Sequence, residues 1–247
     1  MMKRNAVILA AGCSRRFAPL SDVVPKGLLT VKGEVLVERQ IRQLREAGIE
    51  DIVLVIGYKA HMFRYLRDKF GVQIVENPDY ARYNNTASMM LALPYLADTY
   101  LCSVDDYFPV NPFTTDAEPP YYAALYASGE TTEWCLSTDV EGRINNVTIG
   151  GKDAWYMMGH VHFDSAFSAA LRRILPAEFR DEKTRQELWE DVYKRHLKEL
   201  SLYLKKYAAG EILEFDSLAE LKDFDTSYDR DITELIKEYE RRFDARL

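Results

Sequence analysis

Short apolar runs alternate with segments of helical period through the first hundred residues. The runs at 6–10, 51–57, 72–76 and 99–104 have the length of buried strands, and the stretches between them place apolar residues at helical spacing. This alternation is typical of strand-helix units that build a mostly parallel sheet. It predicts an α/β fold with a Rossmann-like, mixed but mostly parallel sheet flanked by helices.

The pattern changes after residue 108. Residues 109–120 contain four prolines, which predicts irregular structure because proline cannot donate a ladder hydrogen bond. Strand-like segments then follow one another between 121 and 163, as in hairpins. The remaining predicted elements are helices near 164–175 and 184–200, a strand at 212–216 and a helix near 229–243.

No internal repeat divides the chain. We therefore expect a single domain over residues 1–247. Its first half, 1–108, would hold the strand-helix units, and its second half, 109–247, would add a smaller β-rich part that covers the pocket.

The protein is acidic, with a net charge of -7 and a pI near 5.3. Nucleic acids and anionic membranes need a basic face, so we expect neither as a partner. Cys13, Cys102 and Cys135 are too widely spaced for a disulfide framework or a paired metal site. No apolar stretch approaches the roughly 20 residues that span a bilayer. We expect a cytoplasmic protein that holds any polyanion with a few placed cations.

The opening residues, 1–17, allow two interpretations. Two basic residues before a short apolar run that ends in LAAGC (9–13) resemble a bacterial lipoprotein signal, in which Cys13 would carry the lipid. The apolar run 6–11 is shorter than the roughly 7–15 residues of a signal peptide, and dense structure is predicted directly after it. We favour a buried strand followed by a ligand-binding loop.

That loop is the first candidate site. In an open parallel sheet, ligands bind beyond the carboxyl ends of the strands. Ala10, Ala11 and Gly12 let the backbone approach a ligand, while Arg16 and then Lys26 supply positive charge for phosphates. The loop matches neither the dinucleotide fingerprint nor the P-loop fingerprint, and a lone glycine turn after a strand is commonly structural.

Acidic residues close two later strands. Asp105 and Asp106 follow the apolar run at 99–104, and Glu214 and Asp216 close the short strand at 212–216. Magnesium prefers hard oxygen ligands and commonly takes one or two carboxylates plus phosphate oxygens. The alternatives are a turn-initiating aspartate pair and a helix N-cap near Asp216.

Two tryptophans lie beside carboxylates. Trp134 follows Glu133, and Trp189 precedes Glu190 and Asp191. Such aromatic residues usually pack in the core or at its rim. An aromatic face beside a carboxylate also suits a cationic head group, especially a quaternary ammonium.

The motifs VILAAGCSRRF, PKGLL, IVLVIGY and SVDDYF occur in the order and spacing of nucleotidyltransferases that join a sugar or alcohol phosphate to an NTP. The chain resembles this superfamily, whose loop reads L-A-A-G-x-G-x-R-[LF] before P-K, with Ser14 in place of the second glycine. Further segments are most similar to bacterial CTP:phosphocholine cytidylyltransferases. These are residues 76–89, 131–137, 187–200 and 214–218, and the resemblance covers about residues 3–224.

The resemblance implies roles by position. For the nucleotide it implies Leu9, Ala10, Ala11, Gly12, Arg16, Lys26, Asn84, Asn85 and Ser88. For the second substrate it implies Tyr107, Trp134, Trp189, Glu190 and Asp191. Catalysis would rest on Arg16, Lys26 and Asp105, and Mg²⁺ would be bound by Asp105 and Asp216.

The implied reaction is transfer of CMP from CTP to phosphocholine, which gives CDP-choline and pyrophosphate. Residues 188–191 depart from the family's aromatic-aromatic-acid order, so 2-aminoethylphosphonate or phosphoethanolamine stays open as the acceptor. A sugar-1-phosphate nucleotidyltransferase and a nucleotide-binding regulatory module are further alternatives. The partners would be small molecules, and a homodimer is allowed.

Overall fold

A seven-stranded sheet forms the centre of the protein and confirms the predicted α/β class. The computed structural model describes residues 3–244. The strands are β1 (Asn5–Ala10), β2 (Thr30–Val31), β3 (Glu34–Val35), β4 (Ile52–Ile56), β5 (Gln73–Glu76), β6 (Thr99–Ser103), β7 (Asp106–Tyr107), β8 (Tyr121–Thr138), β9 (Ile144–Phe163), β10 (Tyr203–Lys206) and β11 (Leu213–Glu214). The α-helices are α1 (Leu36–Glu46), α2 (Tyr65–Phe70), α3 (Asn85–Ala92), α4 (Ser165–Glu178), α5 (Glu182–Arg185), α6 (Trp189–Arg195), α7 (Leu218–Phe224) and α8 (Ile232–Asp244).

The strand order of the sheet is β10-β8-β9-β6-β1-β4-β5. Strand β1 pairs in parallel with β6 on one side and β4 on the other, and β9 runs antiparallel to both β6 and β8. Because Leu9 lies opposite Ser103, strands β1 and β6 end at the same edge of the sheet. The loops that follow these two strands are therefore neighbours.

Strand β1 is buried on both faces. Ala6 and Ile8 contribute to the core on one side of the sheet, and Val7 contributes to the core on the other. A short run that is apolar at every position suits a strand covered by helices on both faces. The buried-strand interpretation of the opening residues is confirmed.

The second half is dominated by one long hairpin. The separate strands predicted between 121 and 163 merge into β8 and β9, because Gly129 and Gly150 adopt left-handed backbone that bends the ladder without ending it. The hairpin curls back on itself. Cys135 pairs with Thr148 on one side and with Tyr156 on the other.

The C-terminal elements differ in detail from the prediction. The helix predicted at 184–200 is two short helices, α5 and α6, and the strand predicted at 212–216 is only β11, which pairs with β7 outside the main sheet. Helix α8 agrees with the predicted C-terminal helix. It buries Leu235 and Tyr239, whose hydroxyl accepts a hydrogen bond from the backbone N–H of Thr30 at 2.9 Å.

Within residues 3–244, no helix is both long enough and apolar enough to cross a membrane. Helix α4 has 14 residues, the most of any helix in the described part of the chain, and contributes Leu171 and Leu175 to the core.

Candidate active site

A cavity of about 270 Å³ opens where β1 and β6 end. The parallel register explains its position, since the loops after these strands meet there. The cavity brings together most of the residues that the sequence singled out. These are Leu9, Ala10, Ala11, Gly12, Lys26, Asn84, Asn85, Ser88, Asp105, Trp189 and Glu190.

The loop after β1 is tied to its neighbours through the backbone. The carbonyl of Leu9 accepts from the N–H of Val104 at 3.1 Å, and that of Ala11 accepts from the N–H of Tyr58 at 3.0 Å. A Cβ at Gly12 would meet no protein atom within 4 Å, so this position leaves room for a ligand. Ser14, which replaces the second glycine of the motif, has φ 48°, a left-handed conformation that glycine adopts without steric cost.

The lining of the cavity includes a lysine–aspartate pair. Lys26 Nζ lies 2.8 Å from Asp105 Oδ2, and the hydroxyl of Ser103 donates to the other oxygen of Asp105. Burial alone would raise the pKa of Asp105, but the Lys26 ammonium and the Ser103 hydroxyl hold it below its usual value. Asp105 is therefore ionised at neutral pH.

Arg16 and Asp216 lie outside the cavity lining and pair with each other. Arg16 Nη2 is 2.6 Å from Asp216 Oδ1, and the two side chains are 71% and 43% exposed. Exposed pairs of this kind contribute little to stability, about 0–1 kcal/mol. Both groups are therefore free to exchange partners when a ligand arrives.

Two further acidic residues, Asp106 and Glu214, lie near Asp105. Asp106 in β7 lies opposite Glu214 in β11. Burial, together with repulsion from Asp105 and Glu214, raises the pKa of Asp106 well above its usual value. Partial desolvation and repulsion from Asp105 raise the pKa of Glu214 above its usual value, although this residue is exposed. The sequence analysis noted both acids at the ends of predicted strands, but the resemblance implied only Asp105 and Asp216 as metal ligands.

Hard oxygen ligands are thus concentrated around Asp105. Among residues 3–244, however, no three acidic, histidine or cysteine side chains are arranged to hold a metal ion by themselves. A cation bound here would need oxygens from another source, such as the phosphates of a nucleotide.

The start of α3 forms a second wall of the cavity. Ser88 accepts a hydrogen bond from Asn77 Nδ2 at 3.0 Å, and Asn84 Oδ1 accepts from the backbone N–H of Asn85 at 2.8 Å. Asn84 Nδ2 also donates to the carbonyl of Gln186 at 3.2 Å, in the segment between α5 and α6. Contacts to this segment were not expected from the sequence.

Glu190 also lines the cavity. Its Oε1 accepts from the hydroxyl of Tyr122 and its Oε2 from Asn85 Nδ2, both at 3.3 Å. Burial raises the pKa of Glu190 to about 7 despite these hydrogen bonds. Trp189 is 1% exposed, and its ring stacks on that of Tyr122 at 6.1 Å with an interplanar angle of 8°.

Three residues expected to bind the second substrate lie outside the cavity lining. Trp134 packs against the core, with the Lys194 ammonium 5.9 Å from its ring. Asp191 accepts from the backbone N–H of Leu188 and caps α6. Tyr107 is buried in an aromatic cluster that includes Phe215 and Phe224. The structure therefore gives these side chains structural contacts, and their role in binding stays a prediction.

Three tyrosines that the sequence analysis did not single out do line the cavity. They are Tyr80, Tyr83 and Tyr122. Tyr122 belongs to a strand whose sequence predicts a buried core strand, and its hydrogen-bond partner Glu190 lies 68 residues later in the chain. No local sequence signal marks it.

A family model described as the MobA-like NTP transferase domain matches residues 6–174. The chain belongs to the MobA-like NTP transferase family. The match covers the glycine-containing loop, the Lys26–Asp105 pair and the hairpin of β8 and β9. The family assignment confirms the superfamily that the sequence motifs resemble.

Two relatives within this family match nearly the whole chain. A 2-aminoethylphosphonate cytidylyltransferase of Lancefieldella rimae is 34% identical over 230 residues, which cover 92% of this chain and 94% of that protein. A choline-phosphate cytidylyltransferase of Streptococcus pneumoniae is 30% identical over 218 residues, which cover 88% of this chain and 95% of that protein. The protein is thus a nucleotidyltransferase of the cytidylyltransferase group.

Solved structures agree with this assignment. The CTP:phosphocholine cytidylyltransferase from Streptococcus pneumoniae superposes with a TM-score of 0.86 at 30% identity, over 90% of this chain and 97% of that one. An inositol-1-phosphate CTP transferase from T. maritima superposes with a TM-score of 0.66 at 22% identity, over 96% of both chains. The second comparison shows a shared fold.

Proposed function

We propose that the protein transfers CMP from CTP to a short phosphonate or phosphate whose far end carries an ammonium group. One observation supports this most directly. A single cavity is lined by the glycine-containing loop, Lys26 and Asp105 and also by Glu190. The first group of residues suits phosphates and the Glu190 carboxyl suits a cation, so the cavity matches a small zwitterion bound beside a nucleotide.

In the proposed reaction, an oxygen of the acceptor's phosphonate or phosphate attacks the α-phosphorus of CTP. A new P–O bond forms as the bond to the β-phosphate oxygen breaks, and pyrophosphate leaves with the electron pair. Such transfers depend on positioning and charge neutralisation. Lys26 would neutralise the phosphates from the floor of the site, and Arg16 would do so from its rim.

Asp105 and Asp216 would hold a divalent cation, with Mg²⁺ as the expected ion. These carboxylates supply the hard oxygens that Mg²⁺ prefers. When bound, the ion would neutralise charge on the phosphates. Lys26 and Arg16, which pair with these carboxylates in the free protein, would then turn toward the nucleotide.

The geometry favours an acceptor whose ammonium carries N–H groups, as in 2-aminoethylphosphonate or phosphoethanolamine. A primary ammonium needs hydrogen-bond acceptors, whereas a trimethylammonium needs open aromatic faces. Glu190 supplies carboxylate oxygens in the cavity. Trp189 has one face stacked on Tyr122, and Trp134 lies outside the lining.

Phosphocholine is the second candidate. The Streptococcus pneumoniae relative that superposes with a TM-score of 0.86 is a CTP:phosphocholine cytidylyltransferase. Tyr80, Tyr83 and Tyr122 also line the cavity here, and tyrosine rings attract quaternary ammonium groups.

The test is a direct comparison of acceptors. The protein is incubated with CTP, Mg²⁺ and, in separate reactions, 2-aminoethylphosphonate, phosphoethanolamine, phosphocholine and a sugar 1-phosphate as control. Pyrophosphate release and the mass of the product are measured. We expect the highest kcat/KM with a primary ammonium. A higher value with phosphocholine would reverse the ranking, and turnover of the sugar phosphate alone would reject the proposal.

A further inference from the structure

The start of α3 and the segment that leads into α6 are joined by a row of hydrogen bonds. The sequence separation is about a hundred residues, so this contact is a product of the tertiary fold. The partners are Asn84 N with Arg185 O, Asn84 Nδ2 with Gln186 O, Thr86 Oγ1 with Glu187 O and Asn85 Oδ1 with Trp189 N.

Asn85 is the residue of this row that reaches the cavity carboxyl. Its Oδ1 accepts from the backbone N–H of Trp189 at 2.8 Å, and its Nδ2 donates to Glu190 Oε2 at 3.3 Å. A carboxamide is suited to this position because it accepts at one end and donates at the other. If the amide were flipped, its NH₂ group would face the N–H of Trp189 and its oxygen would face the Glu190 carboxyl. Two donors would then oppose each other, as would two acceptors, so the contacts determine the orientation of the amide.

The contact with Trp189 also anchors the helix. Trp189 is the first residue of α6, and the N–H groups in the first turn of a helix have no acceptor within the helix. Asn85 satisfies one of them. Helix α6 therefore begins at a point set by α3, and Glu190, the next residue, is placed by the same contact.

The other oxygen of Glu190 is held from the opposite side. Tyr122, in β8, donates its hydroxyl to Oε1 at 3.3 Å, and its ring stacks on Trp189. The carboxyl is thus fixed between α3 and β8. Each carboxylate oxygen has more than one lone pair, so these contacts leave Glu190 able to accept from a ligand.

We propose that Asn85 is a positioning residue for the second substrate. It aims the Glu190 carboxyl at the acceptor's ammonium, and it does not bind the cytidine, which is the role that the sequence resemblance implies. This inference rests on the proposed function. It concerns a contact between residues that lie far apart in the sequence and meet only in the folded structure.

Steady-state kinetics of Asn85→Ala separate the two roles. With CTP and the best acceptor, we expect the KM for the acceptor to rise by about tenfold, as for loss of a hydrogen bond to a charged group, and the KM for CTP to stay within about twofold. A rise in the KM for CTP with an unchanged KM for the acceptor would assign Asn85 to the nucleotide and overturn the proposal.

Two further variants sharpen the result. Asn85→Asp keeps an acceptor for the N–H of Trp189 but replaces the donor to Glu190 with a second carboxylate. Repulsion should raise the pKa of Glu190 further, so we expect the KM for the acceptor to begin rising at a higher pH than in the unmodified protein. Asn146→Ala, at an exposed position of β9, is the matched control and should leave both KM values unchanged. An unchanged pH dependence of acceptor binding in Asn85→Asp would contradict the proposed contact.

Amide hydrogen exchange tests the anchor without relying on turnover. Loss of the Asn85 acceptor should speed exchange at the N–H of Trp189, whereas Asn146→Ala should not change it. An unchanged rate in Asn85→Ala would show that Asn85 does not hold α6 and would reject the inference. Absence of CMP transfer by the unmodified protein would instead reject the proposed function, so the two failures are distinguishable.

Discussion

The carboxylates in two parts of the cavity lining, which we call the phosphate end (Lys26 and Asp105) and the head-group end (Glu190), differ in their partners. At the phosphate end, Asp105 pairs with Lys26 at 2.8 Å, and its pKa lies below the usual value. At the head-group end, the Glu190 carboxyl has hydrogen-bond donors but no cationic partner among residues 3–244, and burial raises its pKa to about 7. Asp105 is thus ion-paired within the protein, whereas Glu190 is only hydrogen-bonded.

This difference indicates how each end meets its ligand. The phosphate end is assembled in advance, and its ion pair must rearrange when the nucleotide and its cation bind. The head-group end lacks a positive charge, which the acceptor would bring. Changes at the first end should therefore slow the reaction with every acceptor, whereas changes at the second should alter which acceptor binds and how tightly.

The largest effect is expected at the phosphate end. Asp105→Asn keeps the shape of the side chain but removes the charge that pairs with Lys26 and would bind the cation. We expect kcat to fall by about 10²–10³-fold with every acceptor, a loss typical of a group that stabilises transition-state charge. Asp116→Asn, at an exposed position, is the control for a neutralised aspartate. If the kcat of Asp105→Asn stayed within tenfold of that of the unmodified protein, the charge of Asp105 would not be needed for the reaction. The described difference between the two ends would then be wrong.

The second effect is expected at the head-group end. Glu190→Gln removes the negative charge while keeping a hydrogen-bond acceptor, so the KM for an aminoalkyl acceptor should rise by about 10–100-fold. The KM for CTP should stay within about twofold. Glu199→Gln, on the exposed surface, controls for the loss of one carboxylate. Equal increases in both KM values would mean that the cavity does not have two separate ends.

The raised pKa of Glu190 predicts a pH dependence. A carboxyl with a pKa of about 7 is largely protonated and neutral at lower pH, and only the ionised form attracts an ammonium. The kcat/KM for the acceptor should therefore fall by up to about tenfold per pH unit below 7 and level off above it. Asp105, whose pKa is lowered, should not titrate in this range, and Glu214, whose pKa is raised, should contribute equally in a variant that lacks only the Glu190 carboxyl.

Glu190→Gln supplies the control for this profile. Titration of the substrate phosphates affects both proteins equally, so the ratio of their kcat/KM values isolates Glu190. A ratio that does not change between pH 5.5 and 8.5 would exclude Glu190 as the titrating group.

The phosphate end was largely predictable from the sequence, because its elements are decided locally. A strand covered on both faces reads as an uninterrupted apolar run, so β1 and β6 were placed within one residue at each end. The residues after such strands must lie at the same edge of the sheet. Lys26 and Asp105 could therefore be expected to meet, and their ion pair is observed.

The head-group end was less predictable, because it depends on contacts between distant residues. Asn85 and Glu190 are 105 positions apart, and Tyr122 and Glu190 are 68 apart. No local sequence pattern predicts which of such distant residues come into contact. The curl of the β8–β9 hairpin, which places Trp134 beside α6 and outside the cavity lining, likewise follows from left-handed glycines that resemble turns in the sequence.

The smallest effect on activity is expected for Trp134. Because its ring packs against the core outside the cavity, Trp134→Ala should change the KM for any acceptor by less than about threefold. The loss of packing should instead lower the free energy of unfolding by about 1–3 kcal/mol, less than for a fully buried tryptophan. Denaturant unfolding and steady-state kinetics measure the two effects separately.

Trp155→Ala is the matched control, since Trp155 is also partly buried on the hairpin and packs against the same core. Similar losses of stability with unchanged acceptor binding in both variants would support the described division. A tenfold rise in the KM for the acceptor confined to Trp134→Ala would mean that the hairpin brings this ring to the head group when substrates bind. The second end would then be completed by an aromatic wall, and phosphocholine would become the favoured acceptor.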